Sequence, residues 1–359
     1  MEKVLEKTLG VLVPTQMVES TLRVLRRLKL VDNRLEFSRT NEAIVIPLLR
    51  KPSDREVSII REQCSDARLQ RASFEKADLK PRDLREAVQS QVPSDLMSNL
   101  PRSFDVIGDI AVLDLPGDLN QFSSAVGKGI LRLNPRLRLV LRKSSDVSGT
   151  FRTRKFEVIA GTGSTETVYT EFSCRFHLDV ASVYFSPRLA HERMRIAEQV
   201  KKGECVVDMF AGVGPYSVLI AKVKPDSKLY SIELNPDAFK YLKENVLLNE
   251  VADRVIPMFG DARQSGARQL RGVANRIVMN LPSEAKNFID VALQVLKDEG
   301  GIIHYYTFVS RDESITTIKD SFRSAIENQG RRVQSFAFAR AIKEVAPNRV
   351  QVAIDAFVK

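Results

Sequence analysis

The chain has 359 residues, 43% hydrophobic and 28% charged, a globular composition with enough core for two or three domains, which excludes wholesale disorder. Fifty-five Lys and Arg against forty-five Asp and Glu leave a charge of +10 and a pI near 9.5, a surplus that suggests an anionic partner such as nucleic acid. No apolar run reaches the ~18 residues of a spanning helix, because Asp208, Gly212, Gly214 and Pro215 interrupt the stretch from Val206 to Ala221.

The first residues, MEKVLEKTLGVLVP, mix acids and bases ahead of a short apolar run, unlike a secretory signal, so a cytoplasmic protein with no membrane partner is expected. Apolar residues at Val18, Leu22, Leu25 and Leu28 follow at helical spacing. Asp32-Asn33 breaks that pattern before a strand-like run from Ala43 to Leu49, giving a small α+β domain over residues 1–70. Arg61 to Arg82 has no sustained apolar face and reads as a linker or a partly solvated helix. Cys64, Cys174 and Cys205, with three histidines, give neither a disulfide framework nor a zinc site, so buried thiols and no metal are expected.

Residues 84–180 read as a basic mixed α/β domain. Its strands run Asp105–Asp114, Arg138–Arg142, Lys155–Ala160, Glu166–Glu171 and Cys174–Asp179, with one helix at Asn120–Leu133. Between Lys128 and Lys155 nine basic residues face a single acid, Asp146, and their alternation with Leu and Val predicts a basic row on one sheet face. That row is a candidate for phosphate contact, against the plainer reading of a solvated face.

Residues 181–359 alternate strand and helix. Strands at Cys205–Met209, Lys228–Glu233, Val255–Phe259, Arg276–Met279 and Gly301–Tyr306 are separated by helices at Tyr216–Val223, Asp237–Asn249, Glu284–Leu296 and Ser314–Asn328. Arg332–Ala339 and Val350–Val358 follow as an antiparallel hairpin, so the expected architecture is a doubly wound, seven-stranded sheet with a reversed last strand.

The chemistry gathers at the strand ends. Asp208-Met-Phe-Ala-Gly212-Val-Gly214 is a turn over which a ligand can lie close to the backbone. It lacks the third glycine of a dinucleotide fingerprint and the GK[ST] of a Walker loop, which disfavours a nicotinamide dehydrogenase. Glu233 ends the second strand, where an acid can accept both hydroxyls of a ribose, and Gly260-Asp261-Ala262-Arg263 forms a polar turn fit for an adenine edge. These acids could alternatively be helix N-caps. Asp208, Gly212, Glu233 and Asp261 in register resemble the class I S-adenosylmethionine-dependent methyltransferases, a Rossmann-like fold. The fourth strand ends in Asn280-Leu281-Pro282-Ser283, without the aromatic that exocyclic-amine methylases of that class carry; Asn280 is a candidate to meet the reacting base or else a turn residue.

Phe185-Ser-Pro187-Arg188-Leu189 with Glu192-Arg193, the upstream Phe151-Arg152-Thr153-Arg154, the loop FAGVGPYS and Asn280-Leu281-Pro282 together resemble the archaeal and eukaryotic tRNA (guanine-37-N1)-methyltransferase family, over about residues 100–359. The resemblance implies S-adenosyl-L-methionine as cofactor and tRNA as partner, contacted at the anticodon stem-loop and at the outer corner, with a monomeric enzyme. It implies Glu192 as general base, Arg152 on the guanine O6 with Arg154 as the alternative, and Asn280 orienting the ring. Arg193, Asp208, Phe210, Gly212 and Gly214, with Glu233, Leu234, Asp261, Ala262 and Asn280, would hold the cofactor.

Guanine N1 carries a proton and no free lone pair, so its methylation needs a base and a cation near O6. A bland alternative makes Glu192 a surface helix residue paired with Arg188 or Arg195, and His191 is a lesser candidate base. Tyr184 and Phe185 could stack on a base or pack in the core. The rivals are a wyosine-pathway enzyme on the same nucleotide, by aminocarboxypropyl transfer or additional C7 methylation, and a non-catalytic tRNA-binding protein.

Overall fold

In a computed structural model, the structure describes residues 5–40, 42–77, 81–145, 149, 151 and 153–359, without the side chains of 265–267. Arg152 and Asp146 lie outside the described residues. The chain divides into two compact units, Met1–Pro81 and Arg82–Lys359.

In the first unit β1 (Leu5–Pro14), α1 (Val18–Arg27), β2 (Ser38–Arg39), β3 (Ala43–Pro47), α2 (Asp54–Gln63) and β4 (Arg68–Glu75) form an antiparallel sheet in the order β2-β3-β1-β4, with a core around Val11, Val13, Leu25 and Ile46. Ser53 caps α2 reciprocally with Glu56. The segment expected as a linker is corrected here: it ends α2 and then pairs β4 with β1 over eight residues. Five of the eight β4 residues are polar or charged, so no alternation betrayed a strand held mainly by its backbone ladder.

The second unit begins with α3 (Leu84–Val88) and a four-stranded sheet, β5 (Asp105–Ile107), β6 (Ile110–Leu113), β7 (Leu139–Lys143) and β8 (Phe156–Gly161), with α4 (Ser123–Leu133) crossing between the parallel β6 and β7. The single strand expected at Asp105–Asp114 is a tight hairpin turning at Gly108. A two-stranded ribbon, β9 (Glu166–Glu171) and β10 (Cys174–Asp179), then leads to α5 (Ala190–Gln199).

The rest is the expected sheet: β11 (Cys205–Asp208), α6 (Pro215–Val223), β12 (Lys228–Glu233), α7 (Pro236–Leu248), β13 (Val255–Phe259), α8 (Ala262–Gln269), β14 (Arg276–Met279), α9 (Ile289–Val295), β15 (Gly301–Ser310), α10 (Ile315–Glu327), β16 (Val333–Ala346) and β17 (Arg349–Val358). Strand order is β13-β12-β11-β14-β15-β17-β16, the first five parallel and β17 running antiparallel to both neighbours. Val206, Val207, Ile277 and Val278 are buried, as parallel strands covered on both faces require. The order reverses at β11, so a crevice opens at the carboxyl ends of β11 and β14, where open α/β sheets bind ligands. No helix among the described residues is long and apolar enough to cross a membrane.

Candidate functional site

The crevice is a cavity of about 560 Å³. On its floor, the turn after β11 passes through Gly212 at φ +57° and Gly214 at φ +89°, a region that favours glycine. A Cβ on Gly212 would meet nothing within 4 Å, so a ligand can approach that backbone closely; one on Gly214 would meet Leu242 Cδ1 at 2.6 Å, so that glycine serves packing.

Glu233, at the end of β12, accepts the Gly212 N–H at 2.6 Å and the Asn235 N–H at 2.7 Å. Burial pushes its carboxyl up, against the pull of those backbone donors. Asn235 in turn caps α7 by accepting the Asp237 N–H. Asp261 accepts the Arg263 N–H at 2.7 Å, so it caps α8 as the plainer reading expected, and it also faces the cavity. Phe210 and Phe288 meet edge to face at 5.0 Å, with the Arg263 guanidinium 3.8 Å over the Phe288 ring.

Asn280 lies across the mouth at the end of β14. The buried Gln351 of β17 donates to its Oδ1 at 3.3 Å, leaving the Asn280 amide nitrogen as its donor toward the cavity.

The structure thus brings Phe210, Gly212, Glu233, Leu234, Asp261, Ala262 and Asn280 to one cavity wall. Two residues expected at the cofactor, Asp208 and Gly214, are not among those that line the cavity. Asp208 is buried beneath the turn, accepts Ser217 Oγ at 3.0 Å and leaves its Oδ1 without a hydrogen-bond partner; burial pushes its carboxyl up to about 7. Gly214 sits behind the turn. Arg193 does not line the cavity either: its guanidinium is buried, held by both oxygens of Glu171 at 2.6 Å, and donates to the Ser186 carbonyl, so it fixes the chain before α5.

Tyr184, Gly149 and Ser283 line both this cavity and a second cleft of about 670 Å³, walled by Lys143, Arg154, Arg188, Lys343 and Arg349. Tyr184 faces the junction, whereas Phe185 packs on Tyr169 at 5.0 Å and on the core. Arg154, the alternative to Arg152, lines this second cleft.

Glu192 lines neither. Only 7% of its side chain is exposed; it accepts Tyr306 Oη at 2.7 Å and both Nε and Nη2 of Arg195, at 2.8 and 2.7 Å. It is therefore no surface residue, though Arg195 is its partner; Arg188 pairs with Asp105 instead. His191 is exposed, with its ring edge-on to Phe172 at 6.0 Å.

The basic row is partly corrected too. Arg138 pairs with Asp109, Arg142 with Glu157 and Lys143 with Asp114, which diverts three of the nine cations to the fold itself. Sequence reasoning missed Gln351, Tyr306, Phe288 and Asn235, which carry no motif and reach the site through pairing and turns; only the Asn-Pro start of α7 offered a signal, as a helix cap.

The residues present fit an adenosyl cofactor: an open backbone at Gly212, a pinned carboxylate at Glu233 and an aromatic wall at Phe210 and Phe288. The family model for the TRM5/TYW2 methyltransferase domain matches residues 167–334, and that for the TYW2 N-terminal domain matches residues 84–165. The chain is 37% identical to the tRNA (guanine(37)-N(1))-methyltransferase Trm5b of Pyrococcus abyssi over 97% of this chain and 98% of that one. Among solved structures, aTrm5 in complex with tRNALeu matches at a TM-score of 0.75 and 30% identity, covering 98% of this chain and all of that one. The TYW2 of P. horikoshii in complex with MeSAdo matches at 0.66 and 32%, covering 78% of this chain and 99% of that one. Likeness that runs nearly end to end, in sequence and in fold, establishes that the chain belongs to the TRM5/TYW2 methyltransferase family.

Proposed function

We propose that this protein transfers a methyl group from S-adenosyl-L-methionine to N1 of guanosine 37 in tRNA, 3′ of the anticodon. One observation carries the reading: the adenosyl-type cavity opens at Tyr184 and Ser283 into a second cleft walled by cations, so a nucleotide entering the cleft meets the cofactor site at the Asn280 turn. The near full-length likeness to a protein named for this reaction supports it.

When bound, S-adenosylmethionine supplies an electrophilic methyl group. Glu233 accepts the ribose hydroxyls, Asp261 and Ala262 take the adenine edge, and Phe210, Leu234 and Gly212 enclose the nucleoside. The Asn280 amide, set by Gln351, orients the guanine ring. Glu192 takes the N1 proton while Arg152 or Arg154 stabilises the charge that gathers on O6; a positioned base of this kind contributes on the order of 10²–10⁴-fold. Glu192 reaches the ring only when tRNA is bound, since catalytic hydrogen bonds tighten in the substrate complex. Asp208, Gly214 and Arg193 act behind these groups by holding the turn and the chain before α5.

The basic region 84–180 follows the anticodon stem phosphates, the target base is flipped into the second cleft, and residues 1–70 reach the outer corner of the tRNA. The enzyme acts as a cytoplasmic monomer.

Single-turnover incubation of unmodified tRNA transcripts carrying guanosine or adenosine at position 37, followed by nucleoside mass spectrometry, tests the reading. The expected product is 1-methylguanosine, from the guanosine transcript alone. Product only from tRNA that already carries a tricyclic wyosine precursor would move the enzyme to that pathway; tight binding with no product on either substrate would make it a tRNA-binding protein.

A further inference from the structure

The charged groups behind Glu192 form one continuous chain through the middle of the sheet. Arg195, on α5, donates from Nη2 to Asp355 Oδ1 at 3.1 Å and from Nη1 to Oδ2, while its Nε and Nη2 grip Glu192. The guanidinium carbon lies over the Phe338 ring of β16, 3.7 Å from its centroid, a cation–π contact that adds to its hold. Asp355 is fully buried on β17 and also accepts Gln199 Nε2 at 3.0 Å.

Behind it, His304 of β15 contacts Asp355 Oδ1 through Nδ1 at 2.7 Å and Arg276 Nη1 through Nε2 at 2.8 Å. A guanidinium only donates, so Nε2 accepts, and Nδ1 carries the proton given to Asp355. His304 is therefore neutral, in keeping with burial that pushes its ring below the usual range. Arg276 is bound to Glu204 at 2.9 Å, which balances its charge.

This leaves one cation, Arg195, between two carboxylates. Buried charges are costly unless paired, so such an array holds each member in a single geometry. The other groups facing Glu192 are polar: Tyr306 of β15 donates to it, Tyr216 of α6 donates to Tyr306 at 3.1 Å, and both phenols are held far above their usual range by burial. Arg193 on the same helix is committed to Glu171 of β9, and Asp208 of β11 lies beyond Tyr216.

We propose that Arg195 and Asp355 are positioning residues for proton removal from the target guanine: Arg195 clamps the Glu192 carboxylate in a fixed orientation, and Asp355 offsets enough of the cation's charge for Glu192 to accept a proton. The array carries a net charge of one negative unit before the N1 proton moves to Glu192 and none after it, so the transfer relieves a charge excess in a buried place. This rests on the reading of Glu192 as the base.

Single-turnover methylation of the guanosine-37 transcript by the full-length protein, measured across pH, tests the pairing. Removing the cation disfavours the ionised carboxylate, so Arg195→Gln should move the acid limb of the profile up by about one pH unit and lower the neutral-pH rate roughly tenfold. Arg195→Lys keeps the charge but not the fork and should leave the limb in place with a smaller rate loss. Asp355→Asn strips the opposing charge, so the limb should stay or move down while the rate falls. A role confined to holding the fold predicts no such opposition in sign. S-adenosylmethionine affinity by equilibrium dialysis should be unchanged in all three, since none of these residues lines the cavity.

A limb unmoved in Arg195→Gln, with Glu192→Gln inactive, would overturn the proposal and leave the base standing. If Arg195→Gln does not fold, a limb raised in Asp355→Asn would overturn it, and one held or lowered with a slower rate would support it. Full turnover by Glu192→Gln would overturn the base and the positioning role together.

Discussion

Asp208 shows how a residue predicted from its place in a motif can act from underneath. It ends β11, yet it is closed off by Ser217, which itself accepts from Ser231 at 2.7 Å, and one of its oxygens is left without a hydrogen bond. Its carboxyl titrates near 7 in the fold against 3.8 as the ordinary value, because burial disfavours its charge. The unfolded chain has then released a proton that the folded chain still holds, so the group's contribution to stability is intact below pH 3.8 and is lost as pH rises through about 7. Asp208→Asn should therefore melt higher than the parent at pH 8, by roughly 2–4 °C for each kcal/mol relieved, and the difference should vanish near pH 4 in pH-resolved thermal denaturation. Glu233 behaves otherwise, since its backbone bonds hold it at the cavity wall. Glu233→Gln should weaken S-adenosylmethionine binding by about 1.5–3 kcal/mol, the range for a charge-assisted hydrogen bond, measurable by equilibrium dialysis. The places of Glu233, Asp261 and Asn280 on the cavity wall were legible because each ends a strand; the buried bonds of Asp208 and Arg193 leave no local pattern in a sequence.

Elements with strong periodicity announced themselves, and those held by pairing did not. β9, β10, β12, β13 and β14 have the predicted bounds, since each carries β-branched or aromatic runs between clear breaks. β4 and α8 escaped, the first because it is polar and the second because ARQSGARQ has no apolar face. The turn between β11 and α6 is where an element's geometry meets its function. Gly214→Ala would be strained at φ +89° and would press on Leu242, so it should destabilise the protein by more than about 1 kcal/mol, read from the shift in urea midpoint. Gly212→Ala has open space at its Cβ, so beyond the strain at φ +57° its loss should fall on cofactor affinity.

For the whole molecule, the surplus of ten positive charges was the first sign of an anionic partner, and its distribution is more selective than the sequence implied. Arg138, Arg142 and Lys143 are paired with acids of their own domain, as Arg188 is with Asp105, yet Lys143, Arg154, Arg188, Lys343 and Arg349 come from segments far apart in the chain to wall one cleft. Such convergence is a property of topology and has no signature in a window of sequence. Methylation at sub-saturating tRNA should fall steeply as salt rises, with a log–log slope of about −0.7 to −0.9 per phosphate contact, and Arg349→Ala should flatten that slope by about one contact. A flat response in the parent protein would remove phosphate tracking from the mechanism.

The antiparallel β17 also sets an order on biosynthesis. It is the last strand of the sheet to be made, yet it lies between β15 and β16 and carries both Gln351, which sets the Asn280 amide, and Asp355, which grips Arg195. While a ribosome is still short of residue 349, the nascent chain already contains every residue of the cofactor wall, but β15 has a bare edge and the reacting groups lack their supports. The cofactor wall is thus synthesised before the strand that supports Asn280 and Arg195.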